Sequence, residues 1–287
     1  MKNTIALVYD FDGTLSSKSM QEYTVLPNLG VEDMDRFWES INEEGKKHNA
    51  EMSLVWMRRI IELSRQGEKR ITREYFKKCG RDIEYFPGVV QFFKAINQHV
   101  SKASRGRMKV RHYIVSAGLK EILDGISIRK EFHNIFGSEY FYDENGLPHF
   151  PKVVITDTIK TQYLFRINKG KELLSDSINE HMDEDDRPIP FENIIYVGDG
   201  LTDVPAMTLT RKSGGHSIAV YRPGDKRGLQ TCKRLLAAPR VDFAAPADYR
   251  KNSELFQYVT SVLDLIVKKY DFGCKSEQNR KSLRMGQ

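Results

Sequence analysis

At 287 residues, 40% of them apolar, the chain has room for a main domain and a smaller one, and no apolar run approaches the ~20 residues needed to cross a bilayer. Its 45 Lys and Arg against 39 Asp and Glu leave a net charge of +6, which suits either nucleic acid or small phosphorylated anions. The basic clusters, at 101–111 and in the tail from Lys268, carry no interleaved aromatics and so argue against nucleic acid, while Cys79, Cys232 and Cys274 are too scattered for a zinc site or a disulfide framework. With no signal-peptide pattern after MKNT, a reducing, cytoplasmic setting is expected; nothing in the sequence specifies an oligomeric state.

In chain order, TIALVY (4–9) reads as a buried strand that runs into Asp10-Phe11-Asp12-Gly13-Thr14. Two carboxylates one residue apart at the end of such a strand are costly unless something pairs with them. From about 18 to 86 the apolar residues fall at helical spacing, with helix starts at Val31-Glu32-Asp33-Met34 and Thr72-Arg73-Glu74-Tyr75. A helical insertion is expected there, entering near Ser17 and leaving near Phe86-Pro87-Gly88, with Phe37, Trp38 and Trp56 as its own small core.

A helix follows at 88–99, then a strand at 110–115 (VRHYIV), a helix at 118–125 and an aromatic hairpin at 138–150 that turns on Asn145-Gly146. Beyond it come a helix at 158–168, an exposed acidic loop at 176–190, strands at 193–197 and 216–221, and helices at 203–211 and 225–236. A weaker strand at 241–245 and a helix at 252–269 complete the pattern. Strands alternating with helices predict an α/β fold, a doubly wound parallel sheet with helices on both faces. The domain reading is 1–17 and 87–270 for the core, 18–86 for the helical insertion and 271–287 for a mobile tail.

In such sheets ligands bind beyond the carboxyl ends of the strands, where Asp10, Ser116 and Asp199 all fall. Four pieces occur in order: DFDGTLS after the first strand, IVSAG ending the second, Lys160 at a helix start after VVIT, and VGDGLTD after NIIYV. Together, over residues 4–221, they resemble the haloacid dehalogenase superfamily, in particular its phosphatases. The resemblance implies a Rossmann-like core, with the helical insertion as the family's cap. The hairpin resembles the phosphoserine phosphatase-like branch.

The implied chemistry is consistent with the residues. Asp10 is expected to be the nucleophile that forms an aspartyl phosphate, and Asp12 the acid that protonates the leaving oxygen and later activates water. Asp10, Asp199 and the backbone carbonyl of Asp12 are expected to hold Mg²⁺, with Asp203 in or next to that shell. Gly13 and Thr14, the Ser116 hydroxyl and the N–H groups of Ala117 and Gly118 at a helix start are expected to cradle the phosphate. Lys160 would neutralise phosphoryl charge, with Lys169 as its rival. His112, His181 and His216 lack ligand spacing. The expected function is a Mg²⁺-dependent phosphatase acting on a small phosphorylated metabolite, with phosphoserine as one option. The alternatives are a phosphomutase or phosphotransferase of the same fold, or a non-catalytic binding protein. Glu22, Glu51, Arg58 and Arg59 are the polar candidates for selecting a substrate from the cap.

Overall fold

A computed structural model describes residues 2–67 and 70–285. Among the described residues seven strands are formed: β1 (Thr4–Tyr9), β2 (Lys109–Leu119), β3 (Phe132–Tyr142), β4 (Pro148–Val153), β5 (Ile194–Gly198), β6 (His216–Tyr221) and β7 (Phe243–Pro246). They lie in the order β4-β3-β2-β1-β5-β6-β7, parallel except for β4, which pairs antiparallel with β3. β1 sits at the centre, hydrogen-bonded to β2 on one side and β5 on the other. All six of its residues are buried, which is why TIALVY is unbroken by polar side chains.

The helices are α1 (Val25–Asn28), α2 (Met34–His48), α3 (Met52–Gln66), α4 (Arg73–Cys79), α5 (Val89–Ala103), α6 (Lys120–Leu123), α7 (Ile159–Lys169), α8 (Val204–Lys212), α9 (Lys226–Ala237) and α10 (Glu254–Met285). Strand alternation divides the core between the two faces of the sheet. Ile5, Leu7 and Tyr9 join one apolar cluster with residues of α5 and α10, while Ala6 and Val8 join another with α7, α8 and α9. This is the doubly wound arrangement that the alternation predicts.

The helices inserted after β1 form the cap. Its aromatics do not form a separate core, contrary to expectation. Phe37 and Trp56 are buried in the same cluster as Ile5, Leu7 and Tyr9, because the cap closes onto the sheet's α5 side. The cap also meets the far edge of the core, with α3 against β4 and α4 against α6.

Other differences have local causes. The hairpin turns at 143–147, where the Asp143 carboxylate accepts from the N–H groups of Asn145 and Leu147, both at 2.9 Å. Its first strand begins six residues before the expected 138, however, because 132–137 pairs in parallel with β2. His133, Asn134 and Gly137 interrupt the apolar run and hide that stretch. The expected tail from 271 continues α10 as helix through Met285, and the tail's last two residues lie outside the described ones. The helix is anchored in the core by Leu255, Val259, Leu263, Ile266 and Val267, with Tyr270 packed against the same cluster.

Asp242 ties the other edge of the sheet together. Its carboxylate accepts from the Ser217 N–H and from Arg211 Nε, each at 2.8 Å, with His216 Nδ1 at 3.6 Å. Burial works against its charge, but these donors hold its pKa below the ordinary value of 3.8. A carboxyl depressed on folding contributes stability that is present above its unfolded pKa and lost as pH falls through the folded one. Asp242→Asn is therefore expected to lower the melting temperature at about pH 7, with the gap from the unsubstituted protein narrowing once pH falls below about 4. Circular dichroism melts across that range check both points.

Candidate active site

The carboxyl ends of β1, β2 and β5 deliver Asp10, Ser116 and Asp199 to one place. Asp10 continues the β1 ladder, its N–H donating to Val197 O at 2.9 Å, and its Oδ1 accepts from the Phe11 N–H at 2.7 Å. The loop then closes tightly: the N–H groups of Thr14, Leu15 and Ser16 all converge on the Phe11 carbonyl. Gly13 takes φ +77°, and a Cβ there would lie 2.2 Å from Asp199 Oδ2, so only glycine lets the first and last loops approach.

Lys160, in the first turn of α7, is 1% exposed. Its Nζ lies 3.1 Å from Asp10 Oδ2 and 2.7 Å from Asp203 Oδ1. Burial disfavours the ammonium, yet the two carboxylates hold its pKa above the ordinary lysine value. Its rival is elsewhere: Lys169 Nζ donates to the carbonyls of Ile178 and Glu180 in the 176–190 loop, at 2.6 and 2.8 Å.

Asp203 is fully buried and saturated with donors. Besides Lys160, its Oδ1 accepts from Tyr196 Oη at 2.6 Å, and its Oδ2 accepts from the N–H groups of Asp199 and Gly200 at 3.2 and 3.3 Å. One oxygen from each of Asp10, Asp199 and Asp203 lies within 4.8 Å of the others. The Asp12 carboxylate is not in that cluster; its Oδ1 accepts from the Met20 N–H, in the turn that enters the cap, at 2.9 Å.

The electrostatics follow from crowding. Burial, then the Asp203 charge, pushes Asp10 up to about 6 against the pull of Lys160. Burial and Asp10 raise Asp12 well above the usual carboxylate range, and burial with Asp10 and Asp203 does the same to Asp199. Among the described residues neither Asp12 nor Asp199 has an ion-pair partner. Oxygen donors short of positive charge fit a hard divalent cation such as Mg²⁺.

The second loop differs from expectation. Ala117 and Gly118 lie in β2, not at a helix start, because β2 keeps pairing with β3 as far as Leu119↔Ser138, and Ser138 Oγ donates to Ala117 O at 2.8 Å. The four-residue α6 begins only at Lys120. The Gly118 N–H donates to Ser116 Oγ at 3.0 Å, which leaves the buried Ser116 hydroxyl proton uncommitted. Thr14 Oγ1 reaches Asp199 Oδ1 at 3.5 Å.

Two tyrosines join the site from places no motif marks. Tyr196 is an apolar-looking residue of β5 whose hydroxyl happens to face Asp203, and Tyr249 Oη donates to Thr14 O at 2.8 Å from 235 residues away. Of the cap candidates, Glu22 accepts from Trp38 Nε1 at 2.7 Å, and Glu51 is exposed at the start of α3. Arg58 and Arg59 are both engaged by Glu44 and Glu62.

Residues 7–208 match the family model described as haloacid dehalogenase-like hydrolase. An uncharacterized protein of Borreliella burgdorferi is 28% identical over 93% of this chain and 99% of its own length. Among solved structures, a phospho-aspartyl intermediate analogue of phosphoserine phosphatase superposes with TM-score 0.56 at 17% identity, over 91% of this chain and 99% of that one. A haloacid dehalogenase family hydrolase, t0658, of Salmonella enterica serovar Typhi gives TM-score 0.56 at 16% identity, over 85% and 67%. At these identities the solved structures bear on the fold alone.

Removing Lys160 leaves two buried carboxylates without their cation, so Lys160→Met is expected to cost about 3–5 kcal/mol. Lys169→Met, which frees only loop carbonyls, is expected to cost about 1 kcal/mol or less. Urea unfolding of the two variants side by side measures the difference.

Proposed function

As the chain belongs to the haloacid dehalogenase-like hydrolase family, we propose that it is a Mg²⁺-dependent phosphatase that hydrolyses a small phosphorylated metabolite through an aspartyl phosphate on Asp10. The observation that carries this reading is the buried Asp10 carboxylate, held 3.1 Å from Lys160, with a second carboxyl two residues on that is tethered to the cap's entry turn.

In this mechanism an Asp10 oxygen attacks phosphorus in line with the leaving oxygen, and Asp12 gives that oxygen a proton as the ester bond breaks. Burial favours the protonated form of Asp12 that this step needs. Water then attacks the phosphorus of the aspartyl phosphate and passes its proton back to Asp12, releasing inorganic phosphate and restoring the Asp10 carboxylate. Lys160 offsets charge on the phosphoryl oxygens, and the Ser116 hydroxyl, which accepts from the Gly118 N–H on one lone pair, donates its proton to one of them. Mg²⁺, held by Asp10, Asp199 and the Asp12 carbonyl, would supply further charge neutralisation at the phosphate. Asp203 serves by fixing the loop and Lys160.

The core of 1–17 and 87–270 carries these groups, and the cap of 18–86 covers them and selects the leaving group. Phosphoserine stays a candidate by analogy with the solved phosphatases of the same fold. The pairing of Arg58 and Arg59 with Glu44 and Glu62 speaks against a ready clamp for its carboxylate.

Phosphate release from an aryl phosphate with Mg²⁺ tests the proposal. Asp10→Asn is expected to abolish turnover and Asp12→Asn to lower kcat by about 10²–10⁴. Undiminished activity in Asp10→Asn would sink the assignment. Separately, Mg²⁺ is expected to raise the melting temperature of the unsubstituted protein and not that of Asp199→Asn, a readout independent of turnover.

A further inference from the structure

Behind the cap's exit lies a groove that the chemistry above does not use. It encloses about 660 Å³ between α5, the 127–131 turn and the start of α10, within the range of small-molecule sites. Phe92, Ile128 and Phe256 form its floor, and Val90, 53% exposed, forms an apolar lip. Lys94, Lys130 and Lys251 stand around the rim, and among the described residues none of the three has an ion-pair partner. The other rim cation, Arg250, is already bound by Asp248, and the lining acid is Glu131. A shallower furrow sharing Lys94, Gln98 and Glu131 carries the groove on along α5 to Lys102. An apolar floor in the groove itself, beneath uncommitted cations and opening onto a polar furrow, matches a ligand with an apolar body and an anionic head.

The walls of this groove are tied to the catalytic loop and to the hinge. Tyr249 lines it and is 1% exposed, and its hydroxyl is the donor to Thr14 O. The Tyr249 N–H donates to Pro87 O at 2.8 Å, at the cap's exit. Gly88, at φ +85°, lies so close that a Cβ would meet Arg250 N at 2.4 Å. On the opposite wall, Ser127 Oγ donates to Tyr85 Oη at 3.1 Å, and Tyr85 bridges Ser16 at the cap's entry. Residues lining the groove are therefore bonded to both hinge segments, and one of them is the tyrosine that holds the loop following Asp10.

We propose that this groove is an effector site for a small anionic amphiphile, an acyl chain with a carboxylate head, whose binding reaches the catalytic loop through Tyr249. The effector role rests on the phosphatase reading; the binding does not.

The test uses the full chain and decanoate, below its micelle concentration, in isothermal titration. Decanoate is expected to bind, and its affinity to fall about tenfold or more in the Lys94→Glu/Lys130→Glu/Lys251→Glu variant. Uncharged decanol is expected to bind equally weakly to both proteins. Those lysines lie outside the catalytic machinery, so the variant's basal aryl phosphate hydrolysis is expected to be unchanged. Decanoate affinity indifferent to the triple substitution, or decylammonium binding as well as decanoate, overturns the site; so does an acidic peptide binding there while decanoate does not. Amide exchange over 12–17 is expected to slow with decanoate in the unsubstituted protein and not in Tyr249→Phe. Binding without that slowing overturns the coupling. Binding with slowing in a chain that hydrolyses no phosphate ester overturns the phosphatase reading and leaves the groove standing.

Discussion

One buried ammonium organises this molecule's reactive end. Lys160 lies between Asp10 and Asp203 at salt-bridge distance to both, at a depth where an unpaired charge of either sign is untenable. It thereby joins α7 to the ends of two different strands' loops. Through Asp203, and the Tyr196 hydroxyl and backbone N–H groups gathered there, it also fixes the path of the loop after β5. Asp10, Asp199 and Asp203, clustered around one lysine, remain electrostatically unbalanced, and that imbalance fits a divalent cation.

The cap shares in this constraint. Its aromatic and aliphatic residues continue the cluster under β1 without a break, so the cap cannot lift without exposing apolar surface. Its entry turn donates the Met20 N–H to Asp12, and its exit is clasped by Tyr249, which also holds Thr14. Cap position and the geometry of the first loop are therefore linked at two points, one on each hinge segment.

Much of this was legible in the sequence because the central strands are buried on both faces. TIALVY and NIIYV cannot be anything but apolar there, and the polar residues that end them stand out. Lys160 was less legible. A lysine after VVIT at a helix start and another nine residues on look alike, and only the fold buries the first and sends the second to loop carbonyls. Where expectation failed, a long-range contact overrode a local pattern. Pairing with β3 holds Ala117 and Gly118 in a strand, and sheet–cap packing absorbs Phe37 and Trp56. The 132–137 strand is hidden by polar residues that its position near the sheet edge tolerates. Tyr196 and Tyr249 carry no signal at all, since an aromatic in an apolar run reads as core until its hydroxyl finds a partner.

The site's carboxylates can be ranked by hydrogen bonds alone, without appeal to any motif. An ionised carboxylate offers about four acceptor positions. Asp203 meets Lys160, Tyr196 and two backbone N–H groups, so it is the most firmly anchored of the three clustered carboxylates. Asp10 accepts from the Phe11 N–H and meets Lys160, which steadies the side chain while leaving lone pairs free. Asp12 accepts one donor, from the cap, and lies apart from the cation-poor cluster. Asp199 has the long contact from Thr14 and its own backbone N–H, with no cation beside it among the described residues. In the proposed mechanism this ranking gives a metal most to gain at Asp199 and Asp10, an attacking oxygen a steady place at Asp10, and a proton a place on Asp12, which burial and the Asp10 charge keep raised. Counting donors thus separates Asp203, which the sequence pattern sets in or next to the metal shell, from Asp10 and Asp199 by how firmly the loop around it already holds it.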